Sequence, residues 1–376
     1  MLMQLAVQED MIVHQMDVKT AYLNAPIDCE IYMEQPEGFE KESTNGEKLV
    51  CKLKKSLYGL KQSGRNWNIL LDEHFQTENF TKSPVDPCMY VRNNADGKAI
   101  IIVWVDDIII ASSNEQTLNN VKQALKHRFK MKDLGKLSWF LGIEFKHVEN
   151  SIEMSQSRYI DKILTKFQMA DCKPKAMPCE LGSNKAQVDE TSVIENAGQY
   201  REIVGSLIYI MYATRPDLCY VVGKLSQHMS KPKNSHMSMA KQTLRYLKGS
   251  QDRSLKYVKS KSPLRLTGYC DSDWGMSEDR YSISGYGFKL CDEGPLVSWR
   301  SCKQKVIALS TCEAEYIALA TGTQEAKFLR QTLADLNSCK PEQVVMYVDN
   351  QGAIALAKNP VHHQRSKHID IRYHLI

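Results

Sequence analysis

Between Ala99 and Ser113 the chain reads AIIIVWVDDIIIASS, so two adjacent carboxylates, Asp106 and Asp107, interrupt an otherwise apolar, β-branched run. Short Ile/Val runs favour buried strands. Two strands meeting at the aspartates keep both apolar halves out of water. An unpaired carboxylate is costly to bury. The pair is therefore expected either in a β-turn, where Asp is ordinary turn chemistry, or around a divalent cation. Only the second alternative carries chemistry, because metal-bound carboxylates stabilise in-line displacement at phosphorus.

The remaining pattern is mixed. Residues 11–18 read as a strand carrying Asp17 near its end. A helix is predicted from Ser63 as N-cap, with Trp67, Leu70, Leu71 and Phe75 inward, and another with Leu118, Val121, Leu125 and Phe129 on one stripe. A hairpin is expected over 139–154, and a polar linker with Pro174 and Pro178 over 172–191. Helices follow over 200–212, from Pro216, and over 235–248 with Gly249 as C-cap. Strands are predicted at 264–270, 281–290 and 295–299, then a helix from Ser310 with a Ser310–Glu313 capping box. A strand ending at Asp349 and a short helix, AIALAK, complete the order.

A chain of 376 residues has room for two or three domains. The net charge of +5 is mild but unevenly spread. Residues 224–265 hold eleven Lys/Arg and one acid, and residues 48–65 hold six Lys/Arg and no acid. Such stretches are either solvated faces or surfaces for a polyanion such as nucleic acid. The eleven cysteines contain no CxxC pair, which argues against a zinc ribbon or a secreted disulfide framework and for reduced thiols. The opening MLMQLAVQEDM lacks the pattern of a signal peptide. No apolar run approaches the ~20 residues that span a bilayer. The expected location is cytoplasmic or nuclear, without membrane attachment.

Asp17, in HQMDVKTAYLNA, and the Asp106–Asp107 pair are distant in sequence and can meet only across a sheet. Together they can hold two Mg²⁺ or Mn²⁺ ions. These segments resemble the reverse transcriptase of copia-type LTR retrotransposons. The likeness is carried by QMDVKTAYLNA, IYMEQPEGF, CKLKKSLYGLKQSGRNW, IVWVDDIII, MKDLGKLSWFLGIEF and RPDLCYVVGKLSQ, in the family's order. It implies metal-binding roles for Asp17 and Asp106, with Asp107 the second acid of the motif. It implies that Tyr22 is an aromatic gate against a ribose 2′-hydroxyl, whereas taken alone Tyr22 reads rather as a packed core aromatic. Lys61, Gln62 and Arg65 would lie near the incoming nucleotide and template, and Leu141 and Gly142 in the primer grip, where Gly142 would let the backbone approach the primer. Trp104 stands where the family usually has Tyr.

Three further acids lie in TGYCDSDWG, STCEAEYIAL and YVDNQGAIALAK: Asp271 near the end of a strand, Glu315 inside a helix and Asp349 at the end of a later strand. Asp273 and Glu313 are the adjacent alternatives. The segments, with SWRSCKQKVIALSTCEAEY and KHIDIRYH, resemble the RNase H domain that follows the copia-type polymerase. That likeness implies Asp271, Glu315 and Asp349 as metal ligands. The family's fourth carboxylate is expected beyond Ile376, so Asp370 is not assigned. His362, His363, His368 and His374, interleaved with Arg365, Lys367 and Arg372, read as a basic nucleic-acid-facing stretch in preference to a zinc site.

The expectation is thus an α+β chain. Residues 1–165 would be a polymerase palm with partial fingers. Residues 166–262 would be a basic helical thumb and connection, with Pro216 and Tyr246 on its surface. Residues 263–376 would be an RNase H-like α/β domain lacking its last helix. The resemblance implies RNA-directed DNA synthesis coupled to RNase H. The expected partners are an RNA template, a DNA primer, the RNA–DNA hybrid, deoxynucleoside triphosphates, and the protease and integrase segments of a parent polyprotein. The rival is a catalytically incomplete relic that binds nucleic acid or a full-length partner.

Overall fold

The computed structural model describes residues 1–180, 194, 197–276, 279–339, 342–358 and 373. The chain divides into two compact units. One comprises Glu9–Leu137 with Asp335–Cys339, and the other Met1–Gln8, Ser138–Ala334 and Lys340–Ile376. Helix and sheet are mixed in both, as the sequence predicts.

Helix α1 (Leu2–Gln8) belongs to the second unit. The first unit contains β1 (Ile12–Val18), α2 (Ala21–Asn24), the small hairpin β2 (Tyr32–Glu34) and β3 (Val50–Lys52), and α3 (Ser63–Thr77). It continues through β4 (Thr81–Lys82), β5 (Met89–Asn94), β6 (Gly97–Trp104), β7 (Asp107–Ser112), α4 (Glu115–Arg128) and β8 (Met131–Lys136). Six strands form an antiparallel sheet in the order β4-β5-β6-β7-β1-β8. The β6/β7 hairpin sets Ile101 opposite Ile110 and Val103 opposite Ile108. These residues pack with Met16, Trp67, Leu71, Phe75, Leu118, Val121 and Leu125 in one core. Ile100, Ile109 and Ala111, on the other face of the same strands, are also buried. That is why the run reads as continuously apolar rather than alternating.

Ser63 is the first residue of α3 rather than its cap. Its hydroxyl donates to the Leu57 carbonyl at 2.5 Å, tying the preceding loop to the helix.

The strand that carries Asp17 is pinned by a buried cation. Lys122 Nζ lies 2.9 Å from Asp133 Oδ1 and 2.7 Å from His14 Nδ1, and Lys126 reaches Asp133 Oδ2 at 3.1 Å. Burial pushes the Asp133 carboxyl up, but hydrogen bonds from Lys122, the Gly135 amide and Lys126 outweigh it, so the group titrates at about 2 instead of 3.8. A carboxyl depressed in the folded state contributes stability above its unfolded pKa, and loses it as pH falls through the folded value. Lys122→Met is expected to cost about 1 kcal/mol at neutral pH, because exposed Asp133 loses one charged partner while keeping Lys126 and the Gly135 amide. In urea unfolding, the gap between wild type and variant should narrow as pH is lowered from 3.8 towards 2. A gap that does not change with pH would show that Lys122 acts through packing alone.

The second unit holds β9 (Trp139–Phe140), β10 (Ile143–Val148), β11 (Ser151–Ser155), α5 (Ser157–Lys166), α6 (Gly198–Ala213), α7 (Cys219–Ser226), α8 (Asn234–Lys248) and β12 (Leu255–Val258). After these come β13 (Thr267–Ser272), β14 (Ile283–Lys289), β15 (Ser298–Lys303), all but the last three residues of α9 (Thr311–Asn337), β16 (Val345–Tyr347) and α10 (Gln351–Lys358). One sheet runs β12-β11-β10-β9 and another β15-β14-β13-β16. The second is antiparallel except for the parallel β13/β16 pair. The strand predicted at 295–299 lies three residues later, and the strand predicted to end at Asp349 stops at Tyr347.

Pro216 opens a 3-10 turn, Pro216–Leu218. Beside it Arg215, 2% exposed, donates to both carboxylate oxygens of Asp217 and to the Ser250 carbonyl. Tyr246 is not on the basic surface as expected. It is buried, and its hydroxyl donates to Asp217 Oδ2 at 2.5 Å. The Arg215 guanidinium lies over its ring, 5.4 Å from the centroid.

Candidate active sites

The first carboxylate group is built by strand register. β1 and β7 pair so that Asp17 stands directly opposite Asp107. Directly opposed side chains share a face, here the one away from Met16 and Ile108 and their core. Asp106 sits in the two-residue turn between Trp104 and Asp107, and its carbonyl accepts from the Val18 amide at 2.8 Å. All three aspartates are half-buried. Burial pushes the Asp107 carboxyl up, followed by the charge of Asp106. A Gln15 hydrogen bond opposes this, and Asp17 adds a smaller upward push. Two negative neighbours raising a third carboxyl mark a place where a cation is favourable.

The turn is strained. Val105 has φ 56°, a left-handed conformation that β-branched residues seldom adopt. Its carbonyl is held at 2.6 Å by the indole Nε1 of Trp67, itself anchored in the core. Strain of this kind persists only where surrounding structure over-determines it. Val105→Gly is therefore expected to raise stability by about 1 kcal/mol while lowering any activity that depends on Asp106. Thermal unfolding measured beside primer extension checks this. A variant that is both less stable and fully active would show that the strain has no function.

Tyr22 lies in α2, half-buried, with its ring 4.5 Å from that of Tyr58. Lys61 and Arg65 are exposed at the start of α3, and Gln62 is its N-cap, donating from Nε2 to Cys29 Sγ at 3.3 Å. Cations at the positive end of a helix are unfavourable unless an anion joins them. Leu141 and Gly142 form the two-residue turn between β9 and β10, with φ 47° and 76°. The Leu141 carbonyl accepts a hydrogen bond from the Tyr209 hydroxyl. A Cβ on Gly142 would stand 2.7 Å from that hydroxyl. Within this unit, glycine is thus required by the turn and by Tyr209.

Sequence reasoning missed Tyr58. Its hydroxyl lies 3.5 Å from Asp106 Oδ2, and its ring meets Tyr22. The signal was one of two aromatics in LYGLKQSGRNW, and both partners are distant in sequence.

The second carboxylate group is tighter. Among the described residues, Asp271, Glu315 and Asp349 are the group whose ligand oxygens all lie within 4.8 Å of one another. The parallel pairing of Tyr269 with Tyr347 continues to bring Asp271 beside Asp349. Glu315 reaches them from α9. Its Oε1 accepts from the Ser272 amide at 3.1 Å, and its buried Oε2 has no hydrogen-bond partner. Glu315 is held above the usual carboxylate range by burial, then by Asp271 and Asp349, against the Ser272 hydrogen bonds. The neighbouring Cys270 thiol is pushed up to about 12 by burial and by Glu315. An orphaned buried oxygen among three carboxylates is a donor set that fits a hard divalent cation.

The two alternatives are engaged elsewhere. Asp273 Oδ1 accepts from the Ile283 amide at 2.6 Å, and Glu313 Oε2 accepts from the Leu309 amide at 2.8 Å, completing a cap with Ser310. His362, His363, His368, Asp370 and His374 lie outside the described residues, as does most of the expected linker.

Residues 1–181 match the family model described as reverse transcriptase (RNA-dependent DNA polymerase). The chain is 39% identical over its full length to the retrovirus-related Pol polyprotein from transposon TNT 1-94 of Nicotiana tabacum, covering 28% of that polyprotein. It is 35% identical over 82% of its length to a transposon Ty5-1 protein of Saccharomyces cerevisiae, all of which it covers. A solved structure of a foamy viral protease-reverse transcriptase with an RNA/DNA hybrid superposes with a TM-score of 0.50 at 11% identity, covering 96% of this chain and 41% of that one. That likeness concerns the fold alone. The chain belongs to the reverse transcriptases of copia-type retrotransposon Pol polyproteins, and it spans about a quarter of the length of the plant polyproteins it matches.

Proposed function

We propose that the chain extends a DNA primer on an RNA template and hydrolyses the RNA strand of the hybrid. The observation that carries the polymerase reading is Asp17 opposite Asp107 with Asp106 in the adjoining turn, in a chain of the reverse transcriptase family. Asp17, Asp106 and Asp107 would hold Mg²⁺ or Mn²⁺ at one site, and Asp271, Glu315 and Asp349 at the other; both donor sets are all oxygen. When bound, a divalent ion neutralises phosphate charge and activates the attacking oxygen.

The protein's own part is positioning. Lys61 and Arg65 bind the triphosphate at the start of α3, with Gln62 beside them. Tyr22 closes on the sugar and rejects a 2′-hydroxyl. Leu141 and Gly142 present a rigid turn to the primer. The primer 3′-hydroxyl gives up its proton to solvent, and its oxygen bonds to the α-phosphorus as the bond to pyrophosphate breaks. Residues 1–165 would act as polymerase, 166–262 as a basic connection along the phosphates, and 263–376 as nuclease. The protease and integrase segments would be neighbours in a parent polyprotein, and the site of action a cytoplasmic particle or the nucleus.

The test is extension of a labelled DNA primer on a labelled RNA template with deoxynucleotides and Mg²⁺. Extension with shortening of the RNA is the expected result. A folded chain that binds the hybrid but neither extends nor cleaves would instead be a nucleic-acid-binding relic.

A further inference from the structure

We propose that Tyr58 is a positioning residue of the polymerase site with two separable tasks: its ring braces Tyr22, and its hydroxyl orients Asp106. The proposal rests on the polymerase reading above. Tyr22 stands in a helix of only four residues, too short to fix a large side chain by itself. The Tyr58 ring lies against it at 4.5 Å with a 41° tilt. On α3, a Cβ at Gly64 would come to 3.7 Å from the Tyr22 hydroxyl. Tyr22 is thus confined between an aromatic ring and a helix start.

Tyr58 is fixed in turn by its backbone. The amide of buried Ser56 donates to the Ala25 carbonyl at 3.0 Å, and the Leu57 carbonyl accepts from Ser63 Oγ at 2.5 Å. Gly59, at φ 97°, turns the chain immediately afterwards. The Tyr58 hydroxyl therefore reaches Asp106 Oδ2 from a held position. Its 3.5 Å separation is a long contact, of the kind that tightens when substrate binds. Tyr58 so couples the residue that reads the sugar to a carboxylate of the reacting centre.

The experiment uses the whole chain on an RNA template with a chain-terminated DNA primer, so that the readout needs no chemistry. The stability of the complex with the next nucleotide is compared for deoxy- and ribonucleotide, as a function of Mg²⁺. Tyr58 is 52% exposed, so truncating it leaves the core intact. Tyr58→Leu is expected to lower the preference for the deoxynucleotide about tenfold, the worth of a good aromatic pair. Tyr58→Phe is expected to keep that preference within about twofold while raising the Mg²⁺ needed severalfold, because only the hydroxyl's hydrogen bond is lost. A Leu variant with the wild-type preference, a Phe variant as impaired in preference as Leu, or a wild type that does not distinguish the sugars would overturn the proposal. A wild type that prefers deoxynucleotides yet fails to extend an unblocked primer would refute the polymerase reading, and the two variants would still decide the role of Tyr58.

Discussion

Asp106→Asn is expected to reduce primer extension by at least about a thousandfold, with folding and hybrid binding unchanged. The substitution is nearly isosteric and keeps an oxygen where Tyr58 reaches. The Asp106 carbonyl that bonds the Val18 amide belongs to the backbone and is unaffected. What is lost is one negative charge of three. That charge burdens the free protein, since it helps push the Asp107 carboxyl up. The Asp106→Asn variant should therefore be as stable as the ion-free wild type or slightly more so. Its cost should appear only where a divalent ion and a triphosphate have to be held. Single-turnover extension from a preformed template–primer complex separates this from weakened hybrid binding. Residual extension within about tenfold of wild type would remove Asp106 from the reacting centre, because one charge on a metal-held phosphate is worth more than that.

The palm was legible where chemistry and pattern coincide. β-branched runs on both sides of two acids specify a hairpin, whereas 11–18, MIVHQMDV, does not alternate cleanly, and pairing with β7 is what sets the face Asp17 occupies. The turn conformation was not legible. Val is an unfavourable residue at φ 56°, and only Trp67, thirty-eight positions away in sequence, explains why it is tolerated. Ser63 read as a cap because its type suits one, yet the loop carbonyl of Leu57 claims its hydroxyl. Tyr246 lay among lysines and read as surface, but an Arg215–Asp217 pair that no local pattern discloses draws it inward. In the second unit, the choice between Asp271 and Asp273, and between Glu315 and Glu313, rested on resemblance. The structure separates them by what each oxygen already holds, since Asp273 and Glu313 cap backbone amides. Long-range partners are the common element in what could not be read.

Glu315→Gln is expected to eliminate RNA-strand cleavage, by about a thousandfold or more, while leaving extension at the wild-type rate. It should also change stability in a direction that identifies the reason. A carboxyl whose folded pKa is raised contributes stability that is complete below its unfolded value, and loses it as pH rises through the folded value. Glu315 is such a group, raised first by burial and then by Asp271 and Asp349, from an ordinary value of 4.5. Ionised at neutral pH without a cation, it works against the fold. Its buried Oε2 has no hydrogen-bond partner to offset the cost. In ion-free buffer near pH 7 the Gln variant should consequently melt higher than wild type, and the difference should close as pH falls below the carboxylate range. Adding Mg²⁺ or Mn²⁺ should reverse the order. An ion that binds only the folded triad raises the wild-type melting temperature by mass action, and the Gln variant lacks the charge to take it up. Equal gains in both proteins would place the ion elsewhere. Cleavage that survives in the variant would mean that these three carboxylates, though within 4.8 Å of one another, serve the packing of α9 on its sheet and not hydrolysis.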